Sequence, residues 1–570
     1  MYRFLIVLVV LAASVAGPVV SLHGQEQMPL PSRVAKALVD SLSHTYYEAK
    51  FAFYPAYATS KGVRSYDSTL STYEPLKVSR FVRSTSRAWR ELTSFAEDSL
   101  DIQTWVDLKA LLSDMSTQML WLDSLAMWHK SPMLYVDACI DGLYYIAIRD
   151  PEFWSDPNFS SRLATVPQVL ANAKKNLSDP IRLHCEVAAA SARAFLPFLK
   201  ELRDPAGEAF KHLDPAVVSD AYAACDQFGS FLDSLSASPA VNPVFALGYD
   251  NFTKLLYAQH MVDESPEEIL AYAEKTLRDS KAALEKMGEP PPPPEVNEEA
   301  AAAITKDEIL EAYWAETDSA VAFLTRKELV TLPVDAPVEV VESPIFLKVL
   351  VPGYAYEPPG PFDEEQVGLL YVPLPETLDA EARTKYQRIF ERRGLRGIVA
   401  HELYPGHHLQ LVEANRNPSF VRKLQSDDFM AEGWALYCEQ MMAEAGYTGP
   451  SGARGALRGV VFRAARAIVD VKLQLGQFSL QQATDFMVQA TAGDRDFLAE
   501  EVRRYAVDPA QPMSYLMGRK AILEVRDQFR GILGKEFTLK KFHDTLLSCG
   551  TIPPYLLRIC ATSRAMGRSQ

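Results

Sequence analysis

Cysteine is scarce in this chain, six among 570 residues, and no two of them form a Cys-x-x-Cys pair. That spacing serves dithiol redox chemistry and thiolate zinc knuckles, so neither is expected. An excess of basic charge is also missing. Lys and Arg number 58 against 73 Asp and Glu, a net charge of −15, with no long basic run. A phosphate backbone would be repelled, so nucleic acid is not an expected partner. Beyond the N-terminus no apolar run is long enough to cross a bilayer, so no membrane span is expected after signal removal. No sustained heptad or fixed-length repeat occurs, which argues against a coiled coil or a solenoid.

What is present begins with Arg3 and the apolar run Phe4 to Ala16, closed by small residues. This is the pattern of a secretory signal peptide, expected over residues 1–24 with cleavage after Ala16 or nearer Gly24. The run is short for an anchor, and Pro18 interrupts its end. No cysteine stands near the cleavage region to carry a lipid. The expected location is therefore periplasmic or extracellular. Export permits disulfides, but six cysteines leave many pairings and none is assigned. Cys139, Cys185 and Cys225 lie in apolar helical text, where buried thiols are at least as good a reading as bridges.

The expected fold is mainly α, with an N-terminal helical region over 25–289 and a second region over 290–570, packed as one globular unit. Between Ser32 and Met287 apolar residues recur at helical spacing, as in Trp105, Leu108, Leu111, Leu112 and Met115. Asp150-Pro151 and Asn242-Pro243 break the pattern. Ser265-Pro-Glu-Glu268 and Thr305-Lys-Asp-Glu308 read as capped helix starts. Pro290 to Pro294 would form an extended loop between them. From Leu332 to Pro375 the runs Val338–Val341, Ile345–Val351 and Val367–Val372 are β-type between Pro- and Gly-rich turns, and predict a small accessory sheet. Such a sheet suits an extended peptide added as a strand. Helices resume from Phe420 to about Arg530, followed by a short Phe537–Leu547 helix and a proline-rich tail.

Histidine is rare, ten in all, yet three fall within the eight residues His401-Glu-Leu-Tyr-Pro-Gly-His407-His408. Imidazole plus carboxylate is a ligand set of catalytic zinc, which takes three protein ligands. A glutamate beside the first histidine is where a metalloprotease keeps its general base. The spacing is unusual, because i+4 is Pro405 rather than histidine. At about 100° per residue, i+6 lies on nearly the opposite helix face, and i+7 returns to the same face about 10 Å along. Pro405 and Gly406 permit a bulge or kink that would pair His401 with His407. Spacing alone leaves His408 open.

This segment resembles the bacterial "domain of unknown function 885" family, grouped with zincin-type metallopeptidases. The resemblance rests on His401, Glu402, Pro405, Gly406, His407 and Gln410, then on Glu432 to Tyr437. It continues through Arg463, Arg466 and Asp470, Tyr515-x-x-Gly518-Arg519, and Phe542-His543-Asp544 with Gly550 and Pro553. Upstream, Gln259 to Glu268 also reads like the family. The resemblance implies a large helical zincin-like, gluzincin-like fold, with His401, His407 and Glu432 holding Zn²⁺ and Glu402 as base. Where relatives carry a histidine, this chain has Gln474.

Other residues carry competing readings. Glu439 lies one heptad from Glu432 and shares its helix face, so it is an alternative ligand or the carboxylate that orients a ligand histidine. His408 is the other alternative ligand, or a packed neighbour. Tyr515 is the candidate donor to a developing oxyanion, against a buried structural tyrosine. Arg519, one turn on, could clamp a substrate carboxylate, against an ion pair. Arg463, Arg466 and Asp470 are spaced for a helix-face salt bridge, and His543 reads as structural. His44, His129, His184, His212 and His260 lack ligand patterns around them. The function expected is an exported zinc peptidase acting on short peptides. The alternatives are a degenerate zincin that binds without cutting, and a metal hydrolase of non-peptide amides or esters. Oligomeric state is not legible.

Overall fold

The computed structural model describes residues 32–94, 100–149, 152–203, 213–288, 303–343, 353–391 and 394–567. The expected signal peptide, the Asp150-Pro151 break, the Pro290–Pro294 loop and the Ile345–Val351 run lie outside the described residues. His212 does too.

The three-and-four spacing becomes helix as expected. In the helix Ile102–Met119, Leu108, Leu111, Leu112 and Met115 are buried and Trp105 packs at the margin. Asp101 opens that helix by accepting the Gln103 and Thr104 N–H groups, two of the donors that a helix start leaves unpaired. Ser265 and Thr305 form full capping boxes with Glu268 and Glu308. Asn242-Pro243 falls between the helices Pro215–Ser236 and Tyr249–His260.

Strands β1 (Val338–Glu342), β2 (Ala355–Glu357) and β3 (Gly368–Val372) form one sheet in the order β1-β3-β2. β1 runs parallel to β3 with Val338 opposite Gly368, and β2 runs antiparallel with Ala355 opposite Tyr371. The sequence shows β1 and β3 but not β2, whose three residues are too few to display an alternation. The chain is mainly α with this small sheet.

The main core runs from Val39 through Ala561, so both sequence regions contribute to it. Polar contacts join them as well. Tyr57 donates to the Leu424 carbonyl at 2.7 Å, and Gln425 donates to the Tyr47 hydroxyl at 2.8 Å. The buried Arg422 guanidinium meets Asp107 at 2.6 Å. A charge taken this far from water requires such a partner.

The expected proline-rich tail is in fact a helix, Pro554–Ala565. Proline at the first position removes an N–H that a helix start leaves unpaired anyway, so here it opens the helix rather than preventing it. Cys549 and Cys560 form a disulfide that the sequence did not assign, while Cys139, Cys185, Cys225 and Cys438 are buried thiols. The bridge ties the last helix to the preceding turn. Replacing both cysteines with alanine is expected to cost about 2–3 kcal/mol, read by urea unfolding of parent and variant without reductant. Unchanged stability would show that the bridge contributes nothing.

Candidate metal centre

The histidine segment is two helices and a turn, not one bulged helix. Leu395–Glu402 ends one residue past His401, and His407–Asn415 begins at His407. Pro405 brings no N–H to continue the first helix, and the Tyr404–Pro405 peptide is cis. A Cβ on Gly406 would collide with the His401 carbonyl, so the close return of the chain requires glycine at this point. Trp434 donates its indole N–H to the Pro405 carbonyl at 2.8 Å and pins the turn. His401 and His407 thus meet with ring centroids 5.0 Å apart and planes at 87°.

The carboxylates come from the helix Asp428–Glu444. This helix crosses Gln511–Leu533 backbone to backbone, because a Cβ on Gly433 would strike Gly518 and one on Gly518 would strike the Phe429 carbonyl. Glu432 Oε2 lies 3.4 Å from His407 Nε2 and 3.7 Å from His401 Nε2. The three ligand-type atoms all fall within 4.8 Å of one another. Glu439 Oε1 accepts from His401 Nδ1 at 2.8 Å. That bond fixes the proton on Nδ1 and leaves Nε2 facing Glu432, the arrangement a metal-ligating histidine needs. The heptad-spaced pair therefore divides its work, with Glu432 facing both imidazoles and Glu439 behind one of them.

Glu432 Oε2 is buried and makes no hydrogen bond. An anionic oxygen without a partner is costly inside a protein, and a cation among these three atoms would satisfy it. The titration behaviour agrees. Burial works to lower His401, but the Glu432 and Glu439 carboxylates beside it outweigh it and push it up to about 10. Burial works to raise Glu432, yet His407 and His401 hold it well below the usual carboxylate range. Glu402 is moved up by burial, partly offset by the two histidines.

Tyr515 joins the cluster, its ring nearly parallel to His401 at 6.4 Å. Burial and then the Glu432 charge push its hydroxyl up to about 12. Arg466 and Arg463 lie over its face at 4.4 and 5.2 Å. The salt bridge expected among Arg463, Arg466 and Asp470 does not form: Asp470 accepts the Ala510 N–H at 3.4 Å, and Arg466 donates to Gln511. Packing against the Tyr515 helix, rather than spacing on their own helix, decides their partners. Arg519 donates Nε to Gln440 at 2.9 Å.

His408 turns away from the cluster. Its Nε2 donates to the Ala336 carbonyl at 3.0 Å, its Nδ1 accepts from Tyr356 at 2.8 Å, and burial pulls it down to about 4. His543 is likewise enclosed, donating to the Leu329 carbonyl and accepting from Tyr437. Both ends of the Gln474 amide are engaged by backbone groups of Leu247 and Ala506. None of His44, His129, His184 or His260 enters the three-residue cluster. Tyr356 and the stacking of Arg463 and Arg466 on Tyr515 were not legible beforehand, since each contact joins elements remote in sequence.

Fold and site define a large helical protein with one His-His-Glu cluster among the described residues. Residues 55–559 match the family described as "Bacterial protein of unknown function (DUF885)", and the chain belongs to it. Two solved structures share the fold. One, a presumed lipoprotein of unknown function from Shewanella oneidensis, is 21% identical with a TM-score of 0.72, over 91% of this chain and 98% of its own. The other, a presumed lipoprotein from Colwellia psychrerythraea, is 18% identical with a TM-score of 0.72, over 94% of this chain and 100% of its own. No curated protein matches the chain.

The helix crossing is open to test. Gly518→Ala is expected to cost about 2–3 kcal/mol or more, because backbone must move. Gly531→Ala, on the same helix with open space around it, should instead stabilise by about 0.5–1 kcal/mol. Thermal and urea unfolding compare the two, and equal effects would show that the crossing tolerates a methyl group.

Proposed function

We propose that this protein is an exported zinc-dependent peptidase of short peptides, with His401, His407 and Glu432 as the metal ligands and Glu402 as general base. The observation that carries this reading is the convergence of two imidazole nitrogens and an unpartnered buried carboxylate oxygen within 4.8 Å, backed by a carboxylate on His401 Nδ1. Two nitrogens and one oxygen are a zinc donor set that leaves a position open for chemistry. Zinc supplies Lewis acidity there, activating water near neutral pH and polarising a carbonyl.

The protein's own groups do the rest. Glu402 takes the proton from the attacking water and returns it to the leaving amine. A carboxylate raised by burial serves both directions better than an ordinary one. Tyr515 holds its proton at neutral pH and can donate to the oxygen on which charge develops. Arg519 is bonded to the neutral amide of Gln440, which leaves its charge for a substrate carboxylate. Export is supported by the N-terminal pattern, by the Cys549–Cys560 disulfide, and by the description of both structural neighbours as presumed lipoproteins.

Metal content by plasma mass spectrometry, on protein purified without chelators, tests the ligand set. Zinc near one per chain is expected in the parent and in Glu402→Gln, with loss in His407→Ala. Hydrolysis of short peptides should fall about 10²–10⁴-fold in Glu402→Gln. Zinc retained without His407, or cleavage indifferent to Glu402, would sink the mechanism.

A further inference from the structure

A cavity of about 1200 Å³ is lined by residues from both halves of the chain, some of them neighbours in sequence of residues around the candidate metal centre. Its wall takes Ala355 and Glu357 from β2, on either side of the Tyr356 that bonds His408. It also takes Arg504 and Asp508, just ahead of the helix that carries Tyr515. The charges on this wall are unequal. Its cations are already engaged by carboxylates: Lys50 by Asp114 at 2.7 Å, Arg503 by Glu186 at 2.8 Å and Arg504 by Glu501 at 3.0 Å. The carboxylates of Asp137, Asp141 and Asp508 line the same space and make no hydrogen bond or ion pair among the described residues.

Asp137 and Asp141 stand one turn apart on the helix Met133–Ala147, where like charges repel. Burial pushes Asp137 well above the usual carboxylate range, with Asp141 and Asp508 adding to it, and pushes Asp141 up to about 7. A cation among the three would relieve both the repulsion and the desolvation. An independent feature of the wall also points to a ligand. His184 is 4% exposed and lines the cavity; its Nδ1 is bonded to Ser131 at 2.9 Å, while Nε2 has no partner. Burial pulls it down to about 4, so the ring is neutral. A ring nitrogen without a partner takes a polar group of a ligand, as acceptor when Nδ1 donates to Ser131 and as donor when Nδ1 accepts from it. Trp121 and Tyr144 add aromatic faces to the wall, which suit a cation.

We propose that this cavity selects substrates by positive charge, taking an ammonium or guanidinium group of a peptide onto Asp137, Asp141 and Asp508. The cutting of that peptide rests on the peptidase reading above; the binding does not.

Binding and cleavage are therefore read separately. Isothermal titration calorimetry on Glu402→Gln protein uses short peptides that differ at one residue (Lys, norleucine or Glu), each with a free or an acetylated N-terminus. The Lys peptide is expected to bind about tenfold or more tighter than its norleucine twin. Asp137→Asn combined with Asp141→Asn should remove that margin while leaving norleucine affinity unchanged, which also reports that the variant is folded. Asp508→Asn, on the open side of the wall, should reduce it in part. A Lys-over-norleucine margin assigns the bound charge to the side chain, and a loss of affinity on acetylation common to all three peptides assigns it to the α-amine. Either supports the cavity as a cation site. Equal binding of Lys, norleucine and Glu peptides that acetylation also leaves unchanged, or a charge-dependent affinity untouched by the Asn variants, overturns it. Lys-dependent binding with no hydrolysis by the parent protein would leave the cation site standing and defeat the peptidase reading.

Discussion

Two helices that touch backbone to backbone at Gly433 and Gly518 set the geometry on which the rest of the site depends. Interhelical distance is fixed by the side chains at the contact, and glycine on both sides gives the closest approach available. Glu432 sits one residue before this contact and Tyr515 three residues before it on the other helix. Both therefore reach the histidines without long, mobile side chains in between. The same helix that supplies Glu432 also supplies Trp434, whose indole holds the Pro405 carbonyl and with it the turn between the two histidine-bearing helices. One short run of sequence thus orders three parts of the centre.

The electrostatics follow from that packing. Carboxylates and imidazoles buried together each alter the other's protonation, and here His401 and Glu432 are displaced toward their charged forms against the cost of burial. Glu439 takes one imidazole nitrogen and so aims the other inward. Glu402 and Tyr515 are shifted instead toward their neutral forms. A site whose groups divide in this way has distinct partners for a cation and for a proton.

The large cavity lined by Asp137, Asp141 and Asp508 belongs to both halves of the chain. Asp137, Asp141 and His184 come from helices in the first region, and Glu357 and Asp508 from elements in the second. The shared core makes this possible, since Val39 and Ala561 fall in one packed cluster. The N-terminal helices thus line this cavity together with elements of the second region.

By itself the sequence determined the helical class, the two capping boxes, the strands β1 and β3, and the identity of the histidines and glutamates that meet. Those signals are local: periodicity, caps and a motif within a few residues. Which histidine faces inward was not local. His407 and His408 are adjacent, and only the turn at Pro405 and Gly406, held by Trp434, sends one toward Glu432 and the other toward Tyr356. The roles of Glu432 and Glu439 were likewise open, because residues seven apart on a helix share a face and only the neighbouring imidazoles distinguish them. Tertiary structure also decided the disulfide, the last helix, the partners of Arg466 and Asp470, and the convergence of unpaired carboxylates on one cavity. Each depends on which distant segments pack together, and periodicity within a single element carries no record of that.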